Sequence, residues 1–194
     1  MDAWLTFLQE FLRHPLQVAS VTPSSRFLER RIVEAAGVRS AKTIIELGPG
    51  TGGTTRAILD AMAPDARLLT IELNQHLHAL VSRIADRRLI PHLGDARELG
   101  TIISEHALAA PEAVISGIPF STISPEAGRE ILGAIYSFLA PGGRFVAYQA
   151  KKRVATLSPL FPEPEQAELE VLNIPPLRVF RWEKDGVRRE PGRS

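Results

Sequence analysis

The run Thr43-Ile44-Ile45-Glu46-Leu47-Gly48-Pro49-Gly50-Thr51-Gly52-Gly53 decides the fold. Its first half is apolar and β-branched, which suits a buried strand. Its second half is rich in glycine, so the backbone turns sharply and leaves space for a ligand to come close. Residues 53–62 then read as a helix. A strand, a glycine loop and a helix in that order open a nucleotide-binding βαβ unit. The spacing is acid-x-Gly-x-Gly-x-Gly, however, and not the dinucleotide pattern Gly-x-Gly-x-x-Gly. Pro49 and the acid two residues before the first glycine, Glu46, are also unlike a pyrophosphate loop.

Outward from this loop the chain keeps alternating. Strands are expected at 67–72, 89–93, 113–116 and 144–149, with helices at about 75–86, 98–108 and 124–139. Asn74 is placed to cap the first of these helices and Ser124-Pro125-Glu126 to open the last. Alternating β and α elements predict an α/β, Rossmann-like fold: a mainly parallel sheet with helices on both faces. The tail differs. Runs 168–172 and 178–182 are strand-like and are split by Asn173-Ile174-Pro175-Pro176 with no helix between them, so they are expected to pair antiparallel at the sheet edge. Segment 151–167 is proline-rich and reads as irregular, and Lys151, Lys152 and Arg153 read as a solvated loop.

Before the loop, residues 3–13 read as an amphipathic helix with Trp4, Leu5, Leu8, Phe11 and Leu12 on one face. Asp2 can cap it and His14-Pro15 ends it. A second helix opens at Thr22-Pro23 and runs to Gly37. The 194 residues are read as one domain, with residues 1–40 as a lid or membrane element and 41–194 as the ligand-binding core.

Composition narrows the function. The formal net charge is +1 and the basic residues are scattered, which disfavours nucleic acid as a partner. Cysteine is absent, which excludes disulfides and thiolate metal sites. No His/Asp/Glu group has ligand spacing, so no metal is expected, and no apolar run approaches the ~20 residues of a membrane-spanning helix.

Four strand ends carry the candidate site. Glu46 precedes the loop of Gly48, Pro49, Gly50, Thr51 and Gly52, Glu72-Leu73 ends the second strand, Gly94-Asp95-Ala96 the third, and Ser116-Gly117-Ile118-Pro119-Phe120 the fourth. This is the edge at which open α/β sheets bind ligands. A carboxylate at Glu72 can accept both hydrogen bonds of a ribose diol.

In this order the features resemble the class I S-adenosylmethionine (SAM)-dependent methyltransferases. The resemblance implies SAM as cofactor. It places Glu46 near the methionine amino group and the loop backbone along the amino-acid moiety. Glu72 and Leu73 then fall at the ribose, Gly94, Asp95 and Ala96 at the adenine, and Ser116, Gly117, Ile118 and Pro119 at the methyl-acceptor end, with Ser116 also touching the cofactor side. Two subfamilies compete. The ribosomal RNA adenine dimethyltransferases carry Asn-[Leu/Ile]-Pro-[Tyr/Phe] at the fourth motif. Here the asparagine position holds Gly117, which has no side-chain carbonyl to meet an adenine amine. Phe120 has the ring to stack on a base, though a core role suits it better. The bacterial phospholipid N-methyltransferases resemble the chain in Pro23-Ser24-Ser25, in Ser116-Gly117-Ile118-Pro119, in Pro141-Gly142-Gly143 and in the tail block Asn173 to Trp182. They resemble it also in the aromatic-rich first helix, while Ala147 to Leu157 departs from their pattern. That likeness implies methylation of phosphatidylethanolamine towards phosphatidylcholine, a lipid substrate, and a cytoplasmic enzyme peripheral at the inner membrane. His14 and Tyr148 are the candidate bases for the acceptor ammonium, and His76, His78, His92 and His106 read as structural. An adenine N6-methyltransferase-like enzyme and a non-catalytic SAM-binding module stand as the alternatives.

Overall fold

The structure, a computed structural model, describes residues 26–149, 154–161, 164–170 and 177–185. The first helix at 3–13, His14, the Thr22 to Ser25 opening, Lys151 to Arg153 and Asn173 to Pro176 lie outside the described residues. The elements run α1 (Arg26–Ala36), β1 (Thr43–Leu47), α2 (Gly53–Ala61), β2 (Arg67–Glu72), α3 (Gln75–Val81), β3 (Leu89–Leu93), α4 (Leu99–Glu105), β4 (Ala113–Ser116), α5 (Pro125–Phe138), β5 (Arg144–Gln149), α6 (Val154–Leu157), β6 (Gln166–Glu170) and β7 (Leu177–Glu183). Seven strands form one sheet in the order β3-β2-β1-β4-β5-β7-β6. The first five are parallel, and β7 and β6 close the far side antiparallel. The parallel sheet with its antiparallel C-terminal edge is the architecture that the alternation predicted.

Strand alternation divides the core into two layers. Ile45, Leu47, Leu69, Ile71, Val114, Phe145 and Ala147 face α4, α5 and α6. Ile44, Leu68, Ala113, Ile115 and Val146 face α1, α2 and α3. All five residues of β1 are buried, as expected for a central strand with helices on both sides. Asn74 caps α3 by accepting from the His76 and Leu77 amides at 2.9 and 3.0 Å, and Ser124 caps α5 with Pro125 in its first turn.

Four elements differ from the sequence reading. α3 stops at Val81 instead of reaching 86, because the bonds after it tighten to Arg83 N–Leu80 O and Ile84 N–Val81 O. The Ser82 hydroxyl also donates back to the His78 carbonyl. α4 is preceded by a 3-10 turn over Ala96–Glu98 whose cap is Asp95. A short helix, α6, forms in the proline-rich segment because Val154 and Leu157 bury themselves in the core. β6 begins two residues earlier than the apolar pattern indicates. Its register follows pairing with β7, and Ala167, Glu168 and Leu169 are all exposed. Among the described residues no helix is long and apolar enough to cross a membrane.

Candidate active site

The strand order reverses between β1 and β4, which opens a crevice above their carboxyl ends. A cleft of about 290 Å³ lies there, lined by Gly48, Gly50, Ile71, Glu72, Leu73, Leu77, Gly94, Asp95, Ala96, Gly117, Ile118, Pro119 and Ile131. The strand ends singled out in the sequence therefore converge on one cavity. Ile71, Leu77 and Ile131 complete it. All three are apolar, and nothing local in the sequence distinguishes a core position from a cavity wall.

The loop is shaped by its glycines. Gly48 has φ +69° and donates its amide to Ile71 O at 2.9 Å, which seats the loop on β2. Gly50 has φ +58° and open space where a Cβ would stand, so the backbone there faces the cleft bare. Pro49, Thr51 and Gly52 hold the turn instead of lining the cleft: Gly52 donates to the Pro49 carbonyl at 3.0 Å and its own carbonyl opens α2.

The carboxylates hold three different positions. Glu46 is completely buried beneath the loop, and one oxygen accepts from Thr55 Oγ1 at 2.6 Å. Its other oxygen, Oε1, has no partner. Burial pushes the Glu46 carboxyl up to about 7, opposed by the Thr55 hydrogen bond and reinforced by the charge of Glu72. Glu72 accepts from the Gly50 amide at 3.2 Å and from the Asn74 amide at 2.9 Å, so it clips the loop to the start of α3 while lining the cleft. Burial raises its pKa, and the backbone amides of Asn74, Gly50 and Leu73 pull it back. Asp95 accepts from the Arg97 amide at 2.9 Å and pairs with its guanidinium at 2.7 Å, keeping lone pairs for a ligand donor.

At the fourth strand end, Ser116 Oγ accepts from the Ile118 amide at 3.2 Å. Ser116 is buried, and it fixes the turn that presents Gly117, Ile118 and Pro119 to the cleft. A Cβ at Gly117 would collide with the Tyr148 hydroxyl and meet the Gly48 carbonyl at 2.7 Å. Phe120 is completely buried in the core, turned away from solvent. His92 and His106 pair ring to ring at 3.0 Å. Among the described residues no three metal-ligating side chains come together.

The residues fit SAM. The unpartnered oxygen of Glu46 meets a cation's need, Glu72 and Asp95 accept along the cleft, and the apolar walls suit a purine. An ornithine lipid N-methyltransferase of Singulisphaera acidiphila is 32% identical over 147 residues, which span 75% of this chain and 77% of that enzyme. The chain belongs to the family of that enzyme, within the class I SAM-dependent methyltransferases. The cofactor of this methyltransferase is S-adenosyl-L-methionine. A ribosomal RNA small subunit methyltransferase A of Phenylobacterium zucineum is 34% identical over 104 residues, but the match spans 50% of this chain and only 33% of that enzyme. The fold is shared with the N-methyltransferase NodS of Bradyrhizobium japonicum, solved with S-adenosyl-L-homocysteine (SAH), at a TM-score of 0.69 and 11% identity over 95% of this chain and 99% of that one. No family model matches the chain.

Proposed function

We propose that this methyltransferase transfers methyl groups to the primary amine of a membrane lipid head group. The likeness to the ornithine lipid enzyme carries the reading, because it runs through three quarters of both chains. Ornithine lipid and phosphatidylethanolamine present the same reacting group, an alkylammonium on a short arm, and both are candidate acceptors.

Gly48, Gly50, Glu72 and Asp95 would hold SAM in the cleft, where its sulfonium would supply the methyl to the amine nitrogen and SAH would be the leaving product. The chain's own part is alignment and exclusion of water. Gly117, Ile118 and Pro119 form the acceptor wall, held by Ser116, and Ile131 closes it with a further apolar surface. The incoming ammonium must shed a proton before it attacks. Tyr148 does not suit that task as a base, since burial first, and the charge of Glu46 next, raise its pKa and keep the phenol protonated. His14 remains the candidate from the sequence.

The adenine-methylating alternative is less well supported. Gly117 leaves no room for a side chain at the asparagine position, and stacking on a base would draw Phe120 out of the core. The apolar face Trp4, Leu5, Leu8, Phe11 and Leu12 supports attachment at a membrane surface and a place at the inner face of the cell membrane.

The test is transfer of radiolabelled methyl from SAM to vesicles of ornithine lipid or of phosphatidylethanolamine, and to ribosomal RNA. Label in either lipid and none in RNA is the expected outcome. Label in RNA alone would reverse the assignment, and SAM binding without label anywhere would favour a non-catalytic module. Deleting residues 1–14 should abolish vesicle co-sedimentation and leave SAM binding nearly intact; equal sedimentation of both forms would remove the membrane role.

A further inference from the structure

Tyr148 is brought to the turn after β4 by the sheet. On β5, Phe145 and Ala147 face the α5 side, so Val146 and Tyr148 face α1 and α2. From there the phenol reaches across to the turn after β4. Its hydroxyl occupies the space beside Gly117 where a Cβ would otherwise stand, and the Gly48 carbonyl borders that same point at 2.7 Å. Gly48 and Gly117 both line the cleft. The carboxylate of Glu46 lies near enough to raise the pKa of the phenol, after burial. Glu46 itself offers an oxygen without a partner.

Tyr148 Oη from β5 and the Gly48 carbonyl from the loop both border the Gly117 position, and Glu46 on β1 holds a buried oxygen, Oε1, just before that loop. Two of these oxygens only accept, and the phenol has a lone pair to add. Of the groups on SAM, only the methionine α-ammonium offers several N–H donors and a positive charge together. A carboxylate in that position would face Glu46 unfavourably. We propose that Tyr148 is a cofactor-contacting residue whose phenol oxygen, beside the Gly48 carbonyl, accepts a hydrogen bond from the α-ammonium of SAM. The glycine at 117 follows from this arrangement, since β5 supplies the side chain for that space and β4 must leave it empty.

The assignment rests on the cofactor site described above, and binding measurements separate the two. SAH carries the ammonium, whereas 5′-S-(3-carboxypropyl)-5′-thioadenosine has hydrogen in its place. By calorimetry, Tyr148→Phe should weaken SAH about tenfold, as expected for one hydrogen bond to a charged group. The deaminated analogue should bind the variant and the natural protein alike. Unchanged SAH affinity in Tyr148→Phe, or equal weakening of both ligands, would overturn the role of Tyr148. Failure of the natural protein to bind SAH would instead overturn the cofactor site.

Discussion

Glu46 takes its chemistry from its burial and its neighbours. Its ordinary pKa is 4.5, and burial raises it to about 7. A raised carboxyl stabilises the fold while protonated, and that contribution is lost as the pH climbs from about 4.5 through about 7. A cationic ligand reverses the preference, because it favours the carboxylate. SAH should therefore raise the melting temperature more at pH 8 than at pH 5.5, and Glu46→Gln should flatten that difference; a pH-independent shift in the natural protein would refute the pairing. Glu72 acts differently, since it holds the Gly50 and Asn74 amides while lining the cleft. Glu72→Ala should weaken SAM by about 1–3 kcal/mol in calorimetry, from unpaired donors on both sides. Unchanged affinity would remove Glu72 from the site.

At the scale of elements, α2 matters because its first turn leaves the glycine loop. Its last carbonyls are gathered by one side chain: the Arg88 guanidinium donates to Leu59 O at 2.7 Å and Met62 O at 3.1 Å. Asp86 orients that guanidinium through a 2.6 Å contact, and the pairing holds the Asp86 carboxyl down at about 2. A cation at a helix C-terminus also complements its dipole. Arg88→Ala should cost about 1–2 kcal/mol in urea unfolding, with SAH affinity little changed because the loop is held from β1 and β2. A large loss of affinity would show that α2 transmits strain to the loop. The exposed pair between Arg31 of α1 and Glu168 of β6 should contribute little, as surface pairs usually do.

Across the whole molecule, the antiparallel tail is joined to the parallel sheet by aromatic packing. Phe145 of β5 stacks on its register partner Trp182 of β7 at 5.3 Å, and Phe161 packs against both at 4.8 and 6.0 Å. This cluster lies beside β5, the strand that carries Tyr148. Trp182→Ala should cost about 3–5 kcal/mol in urea unfolding, in a single transition if the tail folds with the core. Two separate transitions would show the tail to be an independent unit.

The sequence by itself determined the alternating sheet, the ligand edge and the class of cofactor. Those rest on local signals: a glycine loop after a β-branched run, an acid at a strand end, a cap before a helix. Even the boundaries of α3 and β6 escaped it, because hydrogen bonds after Val81 and pairing with β7 set them. Only the tertiary structure decided that Glu46 is buried against Thr55 while Glu72 clips the loop, that Gly117 must be bare, and that Tyr148 reaches the turn at Gly117. Each of these depends on β1, β4 and β5 being neighbours, and strand order is written in no local pattern. Distant side chains converge because the buried faces of the sheet admit one register, and that register exists only once the chain has folded.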